Sequence, residues 1–266
     1  MRNAAQAKAG EAGAMDITPP FGYSDVIPLE RHHKVLLPAV DRGTMPAYAR
    51  SVNAMAISFS EFAVAQRDYP IVFSTVPSDR SFAPVAVLGL ADGQNLFIDR
   101  DGAWEPGHYV PAFVRRYPFC VSRVYIDGVI QPDRLVCVER SWIDQGGIAM
   151  FDDTGIATPE WTERERLLAE YERDIDLTAR MCARLVELDL LVPFTMQIKS
   201  GAETALTMQG MHCIDESRFS GLAADVHREL AQAGMAARIY AHLFSLGNFS
   251  RLLERAQALA GRPAVA

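Results

Sequence analysis

Two arginine–tyrosine–proline corners carry the residues of this sequence that are best suited to binding. Arg67-Asp68-Tyr69-Pro70 is echoed by Arg115-Arg116-Tyr117-Pro118, and Tyr109 precedes the second copy. An arginine guanidinium can hold a carboxylate or a phosphate through two hydrogen bonds. If both corners face one cleft, they form an anion or peptide site. Its ligand-binding residues would be Arg67, Tyr69, Tyr109, Arg115, Arg116 and Tyr117. The alternative is that these charges only satisfy helix ends or partner charges.

Catalytic signatures are absent from the sequence. It contains no P-loop, G-x-S-x-G, H-E-x-x-H or G-x-G-x-x-G pattern. His242, within an apolar predicted helix, and Glu61 are the candidates for an acid–base pair. The alternative for His242 is a hydrogen-bonded core residue, which is the more usual role of a histidine on an apolar helix face. The sequence leaves open whether the protein is an enzyme.

No metal site or cofactor is predicted. His32-His33 follow Glu30 closely, but adjacent side chains on a strand or helix point to different faces. We therefore expect a polar entry to the first strand there, not a chelate. The four cysteines are widely spaced: Cys120, Cys137, Cys182 and Cys213. Because they lack paired spacing, we expect neither a zinc site nor a disulfide. Buried free thiols would favour a reducing compartment.

Composition and charge exclude several function classes. The 266 residues are 49% hydrophobic and 22% charged, as in an ordinary globular protein. The net charge of -7 and the absence of a dense Lys/Arg cluster argue against a nucleic-acid partner. No apolar run reaches the length of a membrane span, and no secretory signal is visible. We expect a cytoplasmic protein of unknown oligomeric state, with a small molecule or peptide as its partner.

The two corners also predict local structure. The residue before a proline is pushed towards extended geometry, so Tyr69 and Tyr117 should each end a short helix and start a strand. The first module then has a helix at 59–67 and strands at 71–75, 82–90 and 95–99. The second has a helix at 109–116 and strands at 120–126 and 135–139. We expect the two helix–hairpin modules to superpose and to build a mostly antiparallel sheet.

The sequence of the second half of the chain predicts a long helix, a hairpin and two further helices that pack against this sheet. Thr158-Pro159 is typical of a helix start, and an apolar stripe follows at steps of three and four with Ile175 at its middle. Pro193 ends this long helix. A hairpin at 195–199 and 205–213 follows, with helices at 223–233 and 235–260, the last bent near Gly247. The predicted fold class is α+β, a mostly antiparallel sheet packed against a long helix and C-terminal helices.

The chain is predicted to hold one main domain. Residues 1–24 are expected to be a disordered leader, with Met15 as a plausible alternative start. The α+β domain covers residues 25–260, with a possible lobe boundary near 140–158, where the sequence is rich in turn residues. Residues 261–266 are expected to form a frayed tail.

Several long stretches resemble one known family. They are Glu61-Phe62, Gln66-Arg67-Asp68-Tyr69-Pro70-Ile71-Val72-Phe73, Leu96-Phe97-Ile98-Asp99, Tyr109-Val110-Pro111-Ala112-Phe113-Val114-Arg115-Arg116-Tyr117-Pro118-Phe119 and Tyr240-Ala241-His242-Leu243-Phe244-Ser245-Leu246-Gly247-Asn248. In this order they look like the SapC family of bacterial proteins, over roughly residues 25–258.

The resemblance implies a role but no reaction. Genes of the family often lie near TonB-dependent receptors, flavin-dependent halogenases and cupin-like oxygenases, which implies an accessory role in nutrient uptake or in modifying a peptide or small molecule. The leading expectation is therefore a cytoplasmic ligand-binding or accessory protein. One alternative is an enzyme acting on a small molecule or peptide with a histidine–carboxylate pair. Another is a surface-layer component, because the family takes its name from a surface-layer gene locus.

Overall fold

A computed structural model describes residues 15–39, 45–77, 79–200 and 203–260. The strands of these residues are β1 (Met15–Ile17), β2 (Val26–Pro28), β3 (Lys34–Val35), β4 (Ala54–Ala56), β5 (Ile71–Thr75), β6 (Phe82–Val87), β7 (Phe119–Ile126), β8 (Val129–Glu139), β9 (Ile148–Ala149), β10 (Leu191–Ser200) and β11 (Glu203–Ile214). The helices are α1 (Ala47–Arg50), α2 (Phe62–Ala65), α3 (Ala112–Arg115), α4 (Pro159–Glu187), α5 (Glu216–Ser220), α6 (Ala224–Gln232), α7 (Met235–Ser245) and α8 (Asn248–Ala260).

The first of two compact units combines the residues up to Leu36 with Pro118–Thr158. Its main sheet is antiparallel with the order β1-β7-β8-β2, and β3 pairs with β9 in a separate ladder. The β7–β8 hairpin turns at Asp127 and Gly128, whose φ angles are 51° and 77°. Positive φ at both central residues is what a two-residue hairpin turn of type I′ requires, and Asp-Gly supplies it.

The first strand lies within the stretch that was predicted to be a leader. Met15–Ile17 forms β1 and pairs with β7, so regular structure begins before residue 25, inside the stretch predicted to be a leader. Residues 1–14 and the predicted tail at 261–266 lie outside the described residues. The chain leaves the first unit at Thr158, at the end of the stretch 140–158 where a lobe boundary was predicted.

The second unit combines Leu37–Tyr117 with the chain from Pro159 onward. Its sheet has the order β10-β11-β5-β6-β4, and every neighbouring pair is antiparallel. The helix α4 packs against β6, and α7 packs against β5 and β11. Antiparallel sheets with helices segregated from them make this an α+β fold, as predicted.

The long helix α4 buries the predicted stripe. Tyr171, Thr178 and Leu185 are buried, whereas Arg173 is exposed. Ile175, predicted to be the buried middle of the stripe, is only partly buried where it packs against the core. The predicted phase of the helix is confirmed, because the other positions of the stripe are buried: Leu168, Tyr171, Thr178, Cys182 and Leu185. Among the described residues, α4 included, no helix has both the length and the apolar character needed to cross a bilayer.

Two predicted elements differ from those observed in more than their end points. Residues 95–99 form turns and a single bridge between Ile98 and Trp104, so the predicted third strand was wrong. Asn95 explains the difference, because its side chain accepts from the Phe97 N–H at 3.0 Å and donates to the Ala49 carbonyl at 2.7 Å. The helix predicted over 235–260 is divided into α7 and α8 around Gly247, where a bend was predicted.

The two corners share a local backbone pattern but join different sheets. The Tyr69 N–H donates to the Ala65 carbonyl at 2.9 Å, and the Tyr117 N–H donates to the Val114 carbonyl at 3.1 Å. Each tyrosine thus closes the end of a short helix, and a strand starts two residues later, at Ile71 or Phe119. However, β5 lies in the five-stranded sheet and β7 in the four-stranded one, so the modules do not form one continuous sheet.

All four cysteines are free thiols. Cys120 and Cys137 lie far apart in sequence but face each other in the β7–β8 ladder. Burial raises the pKa of the Cys137 thiol to about 12, and burial likewise raises that of Cys182 to about 12. These thiols are therefore protonated at neutral pH and act as small apolar side chains.

Candidate functional site

Three arginines and a histidine meet in one hollow of the second unit. The hollow has a volume of about 220 Å³. We call it the arginine hollow and define it by its lining residues: Arg67, Asp68, Phe97, His108, Arg251, Leu252 and Arg255. Of these residues, only Arg67 was among the predicted ligand-binding residues.

Two distant segments position the arginines. Arg67 lies just beyond the end of α2, while Arg251 and Arg255 are one turn apart on α8 and so share a helix face. The Arg251 Nη1 donates to the Arg67 carbonyl at 3.3 Å. The Arg255 Nε donates to the Leu96 carbonyl at 2.7 Å, and its guanidinium lies over the Phe97 ring at 4.5 Å. These contacts hold α8 against the Arg67 corner.

Two carboxylates lie near the arginines: Asp68, which lines the arginine hollow, and Glu105, which contacts Arg255. Asp68 accepts a hydrogen bond from the Tyr109 N–H at 2.8 Å, and Glu105 is ion-paired with Arg255. Within the described part of the chain, no carboxylate forms an ion pair with Arg67 or Arg251. Desolvation by burial lowers the pKa of Arg255, but an arginine remains protonated at any physiological pH. With three arginines and one carboxylate, Asp68, among its lining residues, the arginine hollow is cationic.

A larger hollow adjoins the arginine hollow. It has a volume of about 480 Å³ and shares Arg255 with it. Its other lining residues combine apolar and charged side chains: Leu96, Ile98, Asp99, Arg100, Asp101, Glu105, Ala258 and Leu259. A molecule whose anionic group enters the arginine hollow therefore has room to extend along α8.

Glu61, one of the predicted acid–base candidates, is a structural anchor. Its Oε1 accepts from the Tyr109 hydroxyl at 3.0 Å and from the Ala112 N–H at 2.7 Å. Its Oε2 accepts from the N–H and the hydroxyl of Ser58 at 2.7 and 2.8 Å. The side chain is buried and receives four hydrogen bonds, so the carboxylate ties the start of α2 to the start of α3.

Tyr109 and Arg115 complete the anchor. The Arg115 Nη2 donates to the Tyr109 hydroxyl at 2.9 Å, and its Nε donates to the Val110 carbonyl at 3.0 Å. Both residues line a smaller hollow of about 120 Å³ together with Glu61. Burial, with a contribution from the Glu61 carboxylate, raises the pKa of Tyr109, so its hydroxyl stays protonated and can donate to Glu61. The second corner thus lines a different hollow from the first, and Tyr109 contacts both corners.

Three of the predicted ligand-binding residues are buried: Tyr69, Arg116 and Tyr117. The Tyr69 hydroxyl donates to the Tyr109 carbonyl and accepts from the Trp104 Nε1 at 3.2 Å. The Arg116 guanidinium lies 4.5 Å from the ring centre of both Phe113 and Tyr171. These contacts place the Tyr69 and Arg116 side chains within the packed interior of the second unit.

His242 has no ring nitrogen free for a substrate. Its Nδ1 lies 2.8 Å from the Ile71 carbonyl, and its Nε2 accepts from the Ile214 N–H at 3.0 Å. This pairing requires the neutral tautomer with the proton on Nδ1. The side chain is fully buried, and burial lowers its pKa to about 4. His242 therefore joins α7 to β5 and β11. This is the role of a hydrogen-bonded core residue, the alternative to acid–base catalysis.

The sequence did not predict the histidine and the two further arginines of the arginine hollow: His108, Arg251 and Arg255. One signal was available for two of them, because Arg251 and Arg255 are four residues apart in a predicted helix and so must share a face. Nothing local connected that face with Arg67, since the contact spans 184 residues of sequence. His108 has no distinguishing pattern around it.

The comparisons with known proteins place the chain in a family without adding a reaction. No curated protein and no solved structure matches the chain. A family model described as SapC matches residues 30–252, which include both corners and the arginines of α8 up to Arg251. The chain belongs to the SapC family.

Proposed function

We propose that this protein binds an anionic small molecule or the anionic end of a peptide in the arginine hollow, and that it acts as an accessory binding protein. The proposal rests on the net positive charge of the arginine hollow. Arg67 and Arg251 line the same hollow and form no ion pair with a carboxylate of the described residues, and the one lining carboxylate, Asp68, accepts from the Tyr109 N–H. Guanidinium groups in such an arrangement suit a carboxylate or a phosphate.

The same geometry favours binding over acid–base catalysis by His242 and Glu61. Both nitrogens of His242 and both oxygens of Glu61 are occupied by hydrogen bonds within the fold. A general base needs a free lone pair within reach of the substrate. A binding role also agrees with the accessory function in nutrient uptake or in peptide or small-molecule modification that the family resemblance implies. Four free cysteines favour the reducing cytoplasm as its compartment.

A thermal-shift experiment at low ionic strength tests the proposal. The probes are inorganic phosphate, citrate, and an N-acetylated dipeptide with either a free or an amidated C-terminus. A ligand that binds only the folded protein raises the melting temperature with concentration. We expect the free carboxylate or the phosphate to raise it, and the amidated dipeptide to leave it unchanged. The two anion classes distinguish a carboxylate site from a phosphate site.

A double variant of two exposed arginines tests whether the arginine hollow is the binding site. Arg67→Ala combined with Arg251→Ala should abolish the anion-dependent shift, because these two side chains supply the unpaired charge. Both side chains are exposed, so the variant should fold. Arg173→Ala on the exposed face of α4 removes the same type of charge elsewhere and serves as the control. An anion-dependent shift that is equal in the double variant and in the control would rule out the arginine hollow as the site.

A further inference from the structure

A second cluster of potential ligands lies in the first unit, in the turn between β2 and β3. The His33 N–H donates to the Glu30 carbonyl at 3.1 Å and closes this turn. As a result Glu30, His32 and His33 each place one nitrogen or oxygen atom within 4.8 Å of the other two. Adjacent histidines point apart in a strand or a helix, which is why the sequence predicted no chelate here, but the backbone of residues 30–33 is neither.

The distance between the Glu30 and His32 ligand atoms fits a metal ion. The His32 Nδ1 lies 3.4 Å from the Glu30 Oε2. Nitrogen and oxygen ligands bind zinc at about 2.0–2.2 Å, and two such ligands in a tetrahedral site lie roughly 3.4 Å apart. Two histidines and one carboxylate form a ligand set that zinc and other first-row transition metals accept. Magnesium and calcium prefer oxygen ligands, so this set disfavours them.

The surroundings leave space for the remaining ligands. A hollow of about 390 Å³ borders His32 and His33 and is also lined by Asp152, Asp153 and Thr154. Glu30 and His32 are exposed, so an ion can reach them directly from solvent. His33 is buried, so the packing around it limits the motion of its side chain. Water, or a group of a bound molecule, can occupy the open coordination positions on the side of the hollow.

Metal binding breaks one hydrogen bond of the turn. The His33 Nδ1 accepts from the Glu30 N–H at 3.1 Å, so this nitrogen carries the lone pair of the neutral ring. Binding through Nδ1 replaces that N–H with the metal ion. Binding through Nε2 moves the ring proton to Nδ1, where it faces the same N–H. In either case the Glu30 N–H loses its partner when metal binds.

We propose that Glu30, His32 and His33 form a site for a divalent transition metal ion, with zinc as the best-suited ion. The site shares no residue with the arginine hollow and does not depend on the proposed function. It belongs to the open class of sites, because three protein ligands leave at least one position for water or for a ligand donor.

Cobalt binding to the metal-free protein tests the site. The purified full-length chain is treated with a chelator and titrated with Co²⁺, and then with Zn²⁺, under reducing conditions. We expect one equivalent of Co²⁺ with visible absorption bands, displaced by one equivalent of Zn²⁺. The spectrum should lack a thiolate charge-transfer band, since no cysteine belongs to the site. On zinc binding, the Glu30 amide should change its chemical shift and exchange faster with solvent.

Single substitutions identify the ligands. His32→Ala and Glu30→Gln change exposed side chains, so these variants test binding without threatening the fold. Each should weaken zinc binding at least about tenfold, since losing a group that only hydrogen-bonds a ligand commonly costs about 10–100-fold. His33→Ala should do the same. His227→Ala, a histidine on α6 that contacts the Phe219 ring, is the control and should bind zinc as the wild type does.

The opposite results would overturn the site. It is excluded if neither metal binds at a stoichiometry of one, or if zinc binds equally well to His32→Ala and to His227→Ala. A thiolate charge-transfer band would assign the ion to cysteines and would also exclude this site. If His33→Ala is unfolded, the result for His32→Ala decides.

Discussion

The Arg251 Nη1 donates a hydrogen bond to the main-chain carbonyl of Arg67 at 3.3 Å. This contact brings the face of α8 to the first arginine–tyrosine–proline corner. It places two guanidinium groups, neither with a carboxylate partner in the described part of the chain, beside the same hollow. The proposed binding role depends on this pairing.

The long helix α4 should respond to truncation according to its buried face. Leu185 is fully buried, whereas Leu177 is 41% exposed. We expect Leu185→Ala to lower the free energy of unfolding by about 2–5 kcal/mol. Leu177→Ala, the control, should lower it by about 0.5 kcal/mol or less. Ile175→Ala should fall between them because Ile175 is only partly buried. Urea melts measure all three, and a larger loss for Leu177→Ala would mean that the opposite face packs inward.

The Glu61 anchor should depend on its negative charge. In Glu61→Gln, an NH₂ group replaces one oxygen and faces either the donors of Tyr109 and Ala112 or those of Ser58. Opposed donors in a buried site should cost about 2 kcal/mol or more. The control is Glu170→Gln, on the exposed rim of the same small hollow. Chemical denaturation should show a large shift for the first variant only, and equal shifts would contradict the anchor.

His242 should make stability depend on pH. Its pKa is about 4 in the folded protein, against about 6.5 in an unfolded chain. Between these values the unfolded chain binds a proton that the folded protein does not, so stability rises with pH. The contribution is complete above pH 6.5 and is lost as the pH falls towards 4, by about 3 kcal/mol.

Urea melts at pH 7 and pH 5 measure this dependence. His242→Gln keeps a donor and an acceptor but does not titrate. The wild type should lose more stability than this variant between the two pH values. The same loss in both proteins would show that His242 is protonated in the folded state or that other groups dominate.

Much of the fold could be predicted because its signals are local. The strand at 71–75 follows from the helix end that Pro70 imposes on Tyr69, and it is observed with those bounds. The break between α7 and α8 follows from Gly247. The strand predicted at 95–99 failed because Asn95 bonds to Ala49 in α1, a tertiary contact that no local pattern contains.

The candidate site was less predictable because it depends on contacts between residues that are distant in sequence. The corners singled out Arg67 and Arg115, but the burial of Tyr69, Arg116 and Tyr117 depends on partners distant in sequence, such as Trp104 and Tyr171. The Glu30, His32 and His33 cluster depends on a turn where a strand entry was expected.

Anion binding in the arginine hollow can be observed directly by NMR of the arginine Nε–Hε groups during titration with phosphate and with a dipeptide carrying a free carboxylate. We expect the signals of Arg67, Arg251 and Arg255 to shift together and to saturate at one equivalent, while that of Arg173 does not move. Shifts that spread over all exposed arginines without saturation, or that are confined to Arg115, would contradict anion binding in the arginine hollow.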